Sequence, residues 1–463
     1  MELRAPHAFL PRLEAMDRSD IEALQLRKLQ GQVERIGRTN EFYRALWAAE
    51  GFSADQITGL DDIRRIPFAS KSQFVADQEA SPPFGSRLGV PLDAVEEITE
   101  TSGTSGLGKE IHGHTTRDRI LRGNFTSLGW AWPGMQTDDI AAFHIPATNS
   151  ASLYSMLRGI RTVGRMPYVI GHLGFEERLN LMRTFGVNAM YITPSGLNGL
   201  SALCESLGID PRAEFPDLKF AMVSAESWPI EWVERTEDTW GIRITEVYGS
   251  TQLNAGFGAS CCERGAVADG ARGYQHLFDW GFVYEVIDPD TLEHVQPGEA
   301  GELVITHLDK EASPLVRFRS GDRVTWFPPG LCPCGRQTNL IEAGTIGRVD
   351  DMLKVKGATI WPAEVDRVVF ADPRVAEYQC RVYISDKGRD EVELRVAVGD
   401  DVTPGESEET LRGLVAELKA LTTVTFRAHL VTSTELPNFS HPDKKARRFT
   451  DDRHAGLAKG TSR

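Results

Sequence analysis

The sequence predicts an α/β protein: a large N-terminal body holding parallel and antiparallel sheet, followed by a small α+β C-terminal domain. Three observations carry this. From Thr115 to about Ile244, short apolar strand-like runs alternate with charged amphipathic stretches, the rhythm of a substantially parallel sheet. Residues 282–308 show strand alternation around Asp-Pro and Pro-Gly turns, which suits antiparallel pairing. Beyond Gly347-Arg348-Val349-Asp350 the texture changes to strand, strand, helix and strand within ~110 residues, a normal domain size.

The elements follow in order. Roughly the first 45 residues are expected to be largely helical: Ile21, Leu24, Leu26 and Leu29 lie among polar residues, with no Pro between Arg12 and Gln30. Ser19 or Asp20 is the expected cap. IAAFHI (140–145), PYVIG (167–171), NAMYIT (188–193) and KFAMVSAE (219–226) are the expected parallel strands, and FEERLNLMRTF (175–185) an intervening helix. The C-terminal unit contains VYISD, EVELRVAVGD, a helix from about Glu406 to Leu421, and FRAHLVT. The domain division is placed at 1–349 and 350–463, and the tail after Asp452 is expected to fray.

With 41% hydrophobic and 25% charged residues, the chain has an ordinary globular balance. No apolar run reaches the ~18 residues a membrane helix needs, and the N-terminus has no apolar signal core, so a cytoplasmic location without membrane partners is expected. A net charge of −15 argues against nucleic-acid binding, which needs basic surface. It leaves ATP open, because backbone N–H groups can hold phosphates in an acidic protein.

The stretch ETSGTSGLGKE (100–110) is the most informative. Gly103 and Gly106 let the backbone expose successive N–H groups, Thr101, Ser102, Thr104 and Ser105 add hydroxyls, and Lys109 adds a cation, a composition that can cradle phosphate. It equally suits a flexible surface loop. The string fits Gly-x4-Gly-Lys, but Glu110 follows the lysine where a P-loop needs Ser or Thr for magnesium, which argues against a P-loop NTPase.

Other segments set this loop in context. It resembles the phosphate loop of the adenylate-forming superfamily, which includes acyl-CoA ligases. TEVYGSTQ (245–252), GELVITHL with PLVRFRSGD (301–322) and GRVDDMLKVKGATIWPAEVD (347–366) resemble that superfamily's later motifs in the same order. The N-terminal region, SAESWP (224–229) and CPCGR (332–336) are similar to the phenylacetate–coenzyme A ligase family, over about residues 11–452. The resemblance implies the adenylate-forming fold, with a small domain that rotates about Asp350 between half-reactions.

It also implies the chemistry: a carboxylate joins the α-phosphate of ATP, pyrophosphate leaves, and the acyl group passes to a thiol. Two anions must meet, so catalysis is chiefly positioning and charge stabilisation. By resemblance Asp322 takes the ribose hydroxyls, Tyr248 (followed by Gly249 and Ser250) lies against adenine, Thr251 bonds the α-phosphate, and Glu226 sits near adenine and the acyl pocket. Arg348 contacts ribose or phosphate, and Lys445, one residue beyond Lys444, neutralises charge during adenylation. Read from the residues alone, Asp322 is equally a turn aspartate and Tyr248 a core aromatic.

Gln252 departs from the family, which places a magnesium-binding glutamate there. An amide offers a neutral oxygen where a carboxylate offers charge. Mg2+ would then be held mainly through ATP and water, or adenylation is slowed or altered, or ligase chemistry is lost. On this reading Gln252→Glu raises adenylation or tightens its Mg2+ dependence.

Four of the six cysteines are bunched as Cys261-Cys262 and Cys332-Pro-Cys334, which in a cytosolic chain points to metal before disulfide. Register with family members implies a structural Zn2+ site of Cys262, His276, Cys332 and Cys334, with Cys261 the alternate for Cys262; free thiols are the other reading. Phe143, His144, Tyr191, Ser224 and Ala225 are the expected acyl-pocket residues. The family implies a small aromatic carboxylic acid. The polar, bulky HIPATNSASLYSM (144–156) favours one with a hydroxy or amino substituent. Coenzyme A is the first-choice acceptor, with a carrier-protein thiol or an amine second, and a catalytically impaired nucleotide-binding homologue the alternative of a different class. A monomer or homodimer is expected.

Overall fold

A computed structural model gives the fold. It describes residues 9–101, 108–136, 138–145, 151–164, 166–252, 255–261, 263–349, 351–356, 358–385, 388–399, 402–437 and 448–453. The N-terminal helices are α1 (Pro11–Glu14), α2 (Arg18–Thr39), α3 (Glu41–Ala49) and α4 (Lys71–Ala80). Along α2, Ile21, Gln25, Leu29, Gln32, Val33 and Ile36 are buried, a stripe at helical spacing. The residue that caps α2 is Asp17, ahead of the expected Ser19 or Asp20, and its side chain makes no cap hydrogen bond. The cap arises from the extended backbone of Asp17, a conformation the sequence pattern does not reveal.

An antiparallel hairpin of β1 (Glu97–Glu100) and β2 (Ile111–His114) encloses the Gly-Thr-Ser loop. This differs from a P-loop, which joins a strand to a helix. Then come α5 (Thr116–Ala131), β3 (Ile140–Phe143), α6 (Ala151–Thr162), β4 (Met166–Val169), α7 (Phe175–Phe185), β5 (Ala189–Ile192), α8 (Pro194–Ser206), α9 (Pro211–Glu214), β6 (Phe220–Val223), α10 (Ile230–Trp240) and β7 (Arg243–Ser250). Strands β4, β3, β5, β6 and β7 lie side by side and parallel. The expected alternation therefore holds strand by strand, and α7 has the expected bounds.

Past β7 the pairing turns antiparallel. β8 (Ala255–Ser260) follows, then the two-residue pair β9 (Val267–Ala268) and β10 (Ala271–Arg272). Next are β11 (Tyr274–Leu277), β12 (Phe282–Ile287), β13 (Ala300–His307), β14 (Phe318–Phe327), β15 (Leu340–Glu342) and β16 (Gly347–Arg348). With β3 to β8 they form one 12-stranded sheet running β12-β13-β14-β15-β11-β8-β7-β6-β5-β3-β4, with β16 on β14. Successive residues of the parallel strands face opposite cores. Ala141, Phe143, Tyr191 and Met222 pack with α5 and α6, whereas Ala142, Met190, Ile192 and Val223 pack with α7, α8 and α10.

The C-terminal part holds the hairpin β17 (Leu353–Val355) and β18 (Ala358–Ile360), α11 (Pro362–Ala371), β19 (Val375–Ile384), β20 (Asp390–Val398), α12 (Pro404–Thr422), β21 (Phe426–Leu430) and β22 (Phe449–Asp451). A separate sheet, β21-β20-β19-β22, has its own apolar core with α11 and α12. Thr403 caps α12 in a reciprocal box with Glu406, and Pro404 opens the helix, so it starts two residues before the expected Glu406. Among the described residues, no helix is long and apolar enough to cross a membrane.

Candidate active site

The candidate site lies at the carboxyl ends of β3, β5, β6 and β7, where ligands of parallel α/β sheets bind. The turns there carry His144, Thr193, Ser224 to Glu226, and Thr251-Gln252. The antiparallel half adds Asp322 and Arg348, brought opposite each other by the β14–β16 register.

These two meet Tyr248. The Tyr248 hydroxyl donates to Asp322 Oδ2 at 2.5 Å, and Arg348 Nη1 donates to Oδ1 at 3.0 Å and to the Ser320 carbonyl at 2.9 Å. Gly321 has φ +70°, and a Cβ there would lie 2.8 Å from the Arg348 guanidinium, so the turn admits the arginine only with glycine. Burial, and then the Asp322 charge, push the Tyr248 phenol well above its ordinary range, which keeps it a hydrogen-bond donor. The Asp322 carboxylate is thus held at both oxygens and retains lone pairs for further donors such as ribose hydroxyls. Gly249 and Ser250 complete β7 against Gly256 and Ala255 of β8.

On the acyl side, Ser224 Oγ donates to the Tyr191 hydroxyl at 3.0 Å. The Glu226 carboxylate accepts from Ser195 N at 3.1 Å and Ser195 Oγ at 2.7 Å, at the start of α8. Between them Ala225 has φ +73°, a left-handed conformation that costs on the order of 1 kcal/mol without glycine. Such strain is concentrated where a backbone is held for function. Phe143 packs edge-on to Tyr191 at 5.8 Å and against Trp130 at 5.3 Å. His144 is buried, and neither ring nitrogen has a hydrogen-bond partner among the described residues. Burial, and then the Arg178 charge, push its pKa down to about 3, so the ring is neutral and offers one donor and one acceptor.

The structure does not bring every expected residue to the centre. Lys109 pairs with Glu100 at 2.8 Å on the surface, with both side chains about half exposed. The extended backbone leaving the loop alternates: Glu110 and His112 go inward and Lys109 outward. Thr101 is buried at the loop's entry and bonds Glu110 through both its backbone N–H and its Oγ. Ser102, Gly103, Thr104, Ser105, Gly106, Cys262, Asp350 and Lys445 lie outside the described residues.

Two buried acids escaped the sequence reading. Glu110 entered it only as the residue that breaks a P-loop pattern; an acid directly after a loop lysine, two residues before a histidine on a strand, was the available signal. Glu246, two residues before Tyr248, accepts from Gln275 Nε2 at 2.7 Å and Gly344 N at 2.8 Å, tying β7 to the antiparallel strands. Burial pushes its pKa up from 4.5 to about 7. Below pH 4.5 both folded and unfolded chains hold this proton; between 4.5 and 7 only the folded chain does. Stability therefore falls across that window as pH rises, by up to ~3 kcal/mol, and levels off above it. Glu246→Gln keeps an acceptor oxygen, so the variant should melt a few degrees above the wild type at pH 8 and level with it near pH 4.5. Calorimetric melting at the two pH values tests this, and an equal offset at both would exclude ionisation as the cause.

The cysteine cluster is assembled with Cys261, the expected alternate; Cys262 lies outside the described residues. The ligand atoms of Cys261, His276, Cys332 and Cys334 lie within 4.8 Å of one another, and all four residues are buried. Cys261 Sγ is 3.4 Å from Cys332 Sγ, and Cys334 Sγ is 3.3 Å from His276 Nε2. Thr338 Oγ1 meets His276 Nδ1 at 3.1 Å and fixes the ring, leaving Nε2 for the sulfurs.

The chain is similar to known proteins along most of its length. Residues 91–307 match the model of the AMP-binding enzyme family, and residues 357–453 that of the AMP-binding enzyme C-terminal domain. The chain is 29% identical to the phenylacetate-coenzyme A ligase of Thermus thermophilus, over 88% of each chain. It is 27% identical to that of Pseudomonas putida, over 90% of this chain and 92% of the relative. Among solved structures, 2-hydroxyisobutyryl-CoA ligase in its postadenylation state with 2-HIB-AMP superposes with a TM-score of 0.87 at 23% identity, covering 99% of this chain and 95% of that one. The two family matches, in order along one chain that joins Tyr248, Asp322 and Arg348 at a single site, place the protein among the adenylate-forming AMP-binding enzymes, as an AMP-forming acid–coenzyme A ligase.

Proposed function

We propose that the acid is aromatic and carries a hydroxy or amino substituent, and that its adenylate is discharged to coenzyme A. The observation that supports this is His144, which directly follows Phe143 of the Phe143–Tyr191–Trp130 aromatic group: a buried, neutral imidazole whose two ring nitrogens have no partner among the described residues. A buried polar group without a partner is costly, and a ligand group that fills the role removes the cost. The phenylacetate ligases to which the chain is similar support an aromatic acid.

On this reading Asp322 receives the ribose hydroxyls while Tyr248 and Arg348 hold it in place. The loop from Thr101 holds the outer phosphates, and Thr251 bonds the α-phosphate. Lys445 neutralises the carboxylate as it attacks phosphorus, and Asp350 is the hinge between 1–349 and 350–463. Mg2+ bound with ATP would offset phosphate charge; Gln252 can offer it a carbonyl oxygen. Cys261, His276, Cys332 and Cys334 hold a structural Zn2+: three sulfurs and one imidazole, buried and convergent, are a closed zinc donor set.

Pyrophosphate release with ATP, Mg2+ and substituted benzoic, phenylacetic and short 2-hydroxy acids tests the reading, with products identified by mass. Hydroxy- or amino-aryl acids should turn over best and yield aryl-CoA once coenzyme A is added. His144→Ala should raise KM for the substituted acid at least ten-fold over that for its unsubstituted parent. Preference for short aliphatic acids would overturn the aromatic assignment. Adenylate that coenzyme A cannot discharge would transfer the acceptor role to a carrier-protein thiol or an amine.

A further inference from the structure

The amide at 252 has a buried partner. Gln252 Nε2 donates to Glu110 Oε1 at 3.1 Å. Glu110 is fully buried; its other oxygen accepts from His112 Nε2 at 3.2 Å, and Lys71 Nζ lies 3.7 Å from Oε1. Its backbone closes the phosphate loop on Thr101: Thr101 N donates to the Glu110 carbonyl at 3.0 Å, and Glu110 N to Thr101 Oγ1 at 2.9 Å. Three elements converge here: the start of α4, the strand leaving the loop, and the turn after β7.

A carboxylate only accepts, so the amide edge that meets Glu110 is the NH2, and the carbonyl oxygen of Gln252 is turned the opposite way. A glutamate at 252 would set two carboxylates about 3 Å apart beside the buried Glu110, an arrangement that charge repulsion penalises unless one of them holds a proton. The residue types at 110 and 252 are therefore chosen together. We infer that Glu110 is a positioning residue for adenylation, fixing the Gln252 amide with its oxygen toward the nucleotide and keeping at 110 the negative charge that position 252 has given up. This rests on the adenylation reading. It reverses the expectation for Gln252→Glu, which now meets an existing carboxylate.

The test is a four-protein cycle: wild type, Glu110→Gln, Gln252→Glu and the double exchange. Each is assayed by acid-dependent ATP–pyrophosphate exchange across Mg2+ concentrations, and melted without nucleotide at pH 5 and pH 8. Glu110→Gln should lower the exchange rate about 10- to 100-fold while KM for ATP moves less than about three-fold. Gln252→Glu should lower the rate at least ten-fold, and melt lower than wild type at pH 8 but not at pH 5. The double exchange restores an amide–carboxylate pair; it should recover the melting temperature and at least ten-fold of the lost rate.

Losses that simply add in the double variant, or a Gln252→Glu enzyme as fast and as stable as wild type, would overturn the inference. Wild type inert with every acid would instead overturn the adenylation reading. The pairing would then be judged by melting alone, where failure of the double exchange to restore pH 8 stability rejects it.

Discussion

Cys334→Ser should abolish the proposed zinc binding and lower the melting temperature by several degrees or more. Elemental analysis should find one zinc per chain in the wild type and none in the variant. The size follows from where the cluster sits. Cys261 ends β8, His276 lies on β11, and Cys332 and Cys334 lie between β14 and β15, so one ion would join three antiparallel segments that are otherwise tied by strand hydrogen bonds. Structural zinc contributes on the order of 10 kcal/mol of apparent binding energy in small domains, and binding to the folded state adds directly to stability. Chelation of the wild type should reproduce the variant's melting. Wild type purified without metal, and unchanged by added zinc, would dismiss the site.

Asp322→Ala lowers kcat/KM for adenylation by roughly 10²- to 10³-fold, mostly through ATP. The substitution removes the acceptor of the Tyr248 hydroxyl, a buried group left unpaired at a cost of ~1–3 kcal/mol. It also removes the carboxylate that holds the Arg348 guanidinium at 3.0 Å, and with it the proposed ribose contact. Steady-state kinetics with ATP varied give the number. Asp322→Asn, which keeps an acceptor oxygen for Tyr248, should retain more activity than the alanine variant. Equal losses for the two would mean that charge, and not the hydrogen bond to Tyr248, is what matters.

Strand positions were legible in the sequence wherever short apolar runs ended in turns, because the parallel half of the sheet is buried on both faces and shows as continuous hydrophobic strings. The residues joined at Tyr248, Asp322 and Arg348 were legible only through family resemblance. Their spacing of 74 and 26 residues has no local periodicity, and the contact exists because β14 and β16 pair. Cys261 and Cys262 were equivalent in sequence; that Cys261 joins the cluster is visible only once the fold brings His276, Cys332 and Cys334 to it. Glu110 and Glu246 were legible as acids but not as buried, partnered ones, because their partners Gln252, Gln275 and Gly344 come from distant segments. Lys109 shows the converse: a cation in a phosphate-loop pattern whose strand phase turns it outward.

The N-terminal helices have a consequence for synthesis. Lys28 bonds Asp309 and the Trp280 carbonyl, Gln25 bonds the Phe282 carbonyl, and Glu14 pairs with Arg336 and accepts from Trp132 Nε1. The Lys28–Asp309 partners are 281 residues apart, so at ~5–20 residues per second the apolar stripe of α2 leaves the ribosome roughly 15–60 s before its partner surface exists. During that interval the exposed Ile21, Leu29, Val33 and Ile36 stripe of α2 is a ready target for a holding chaperone.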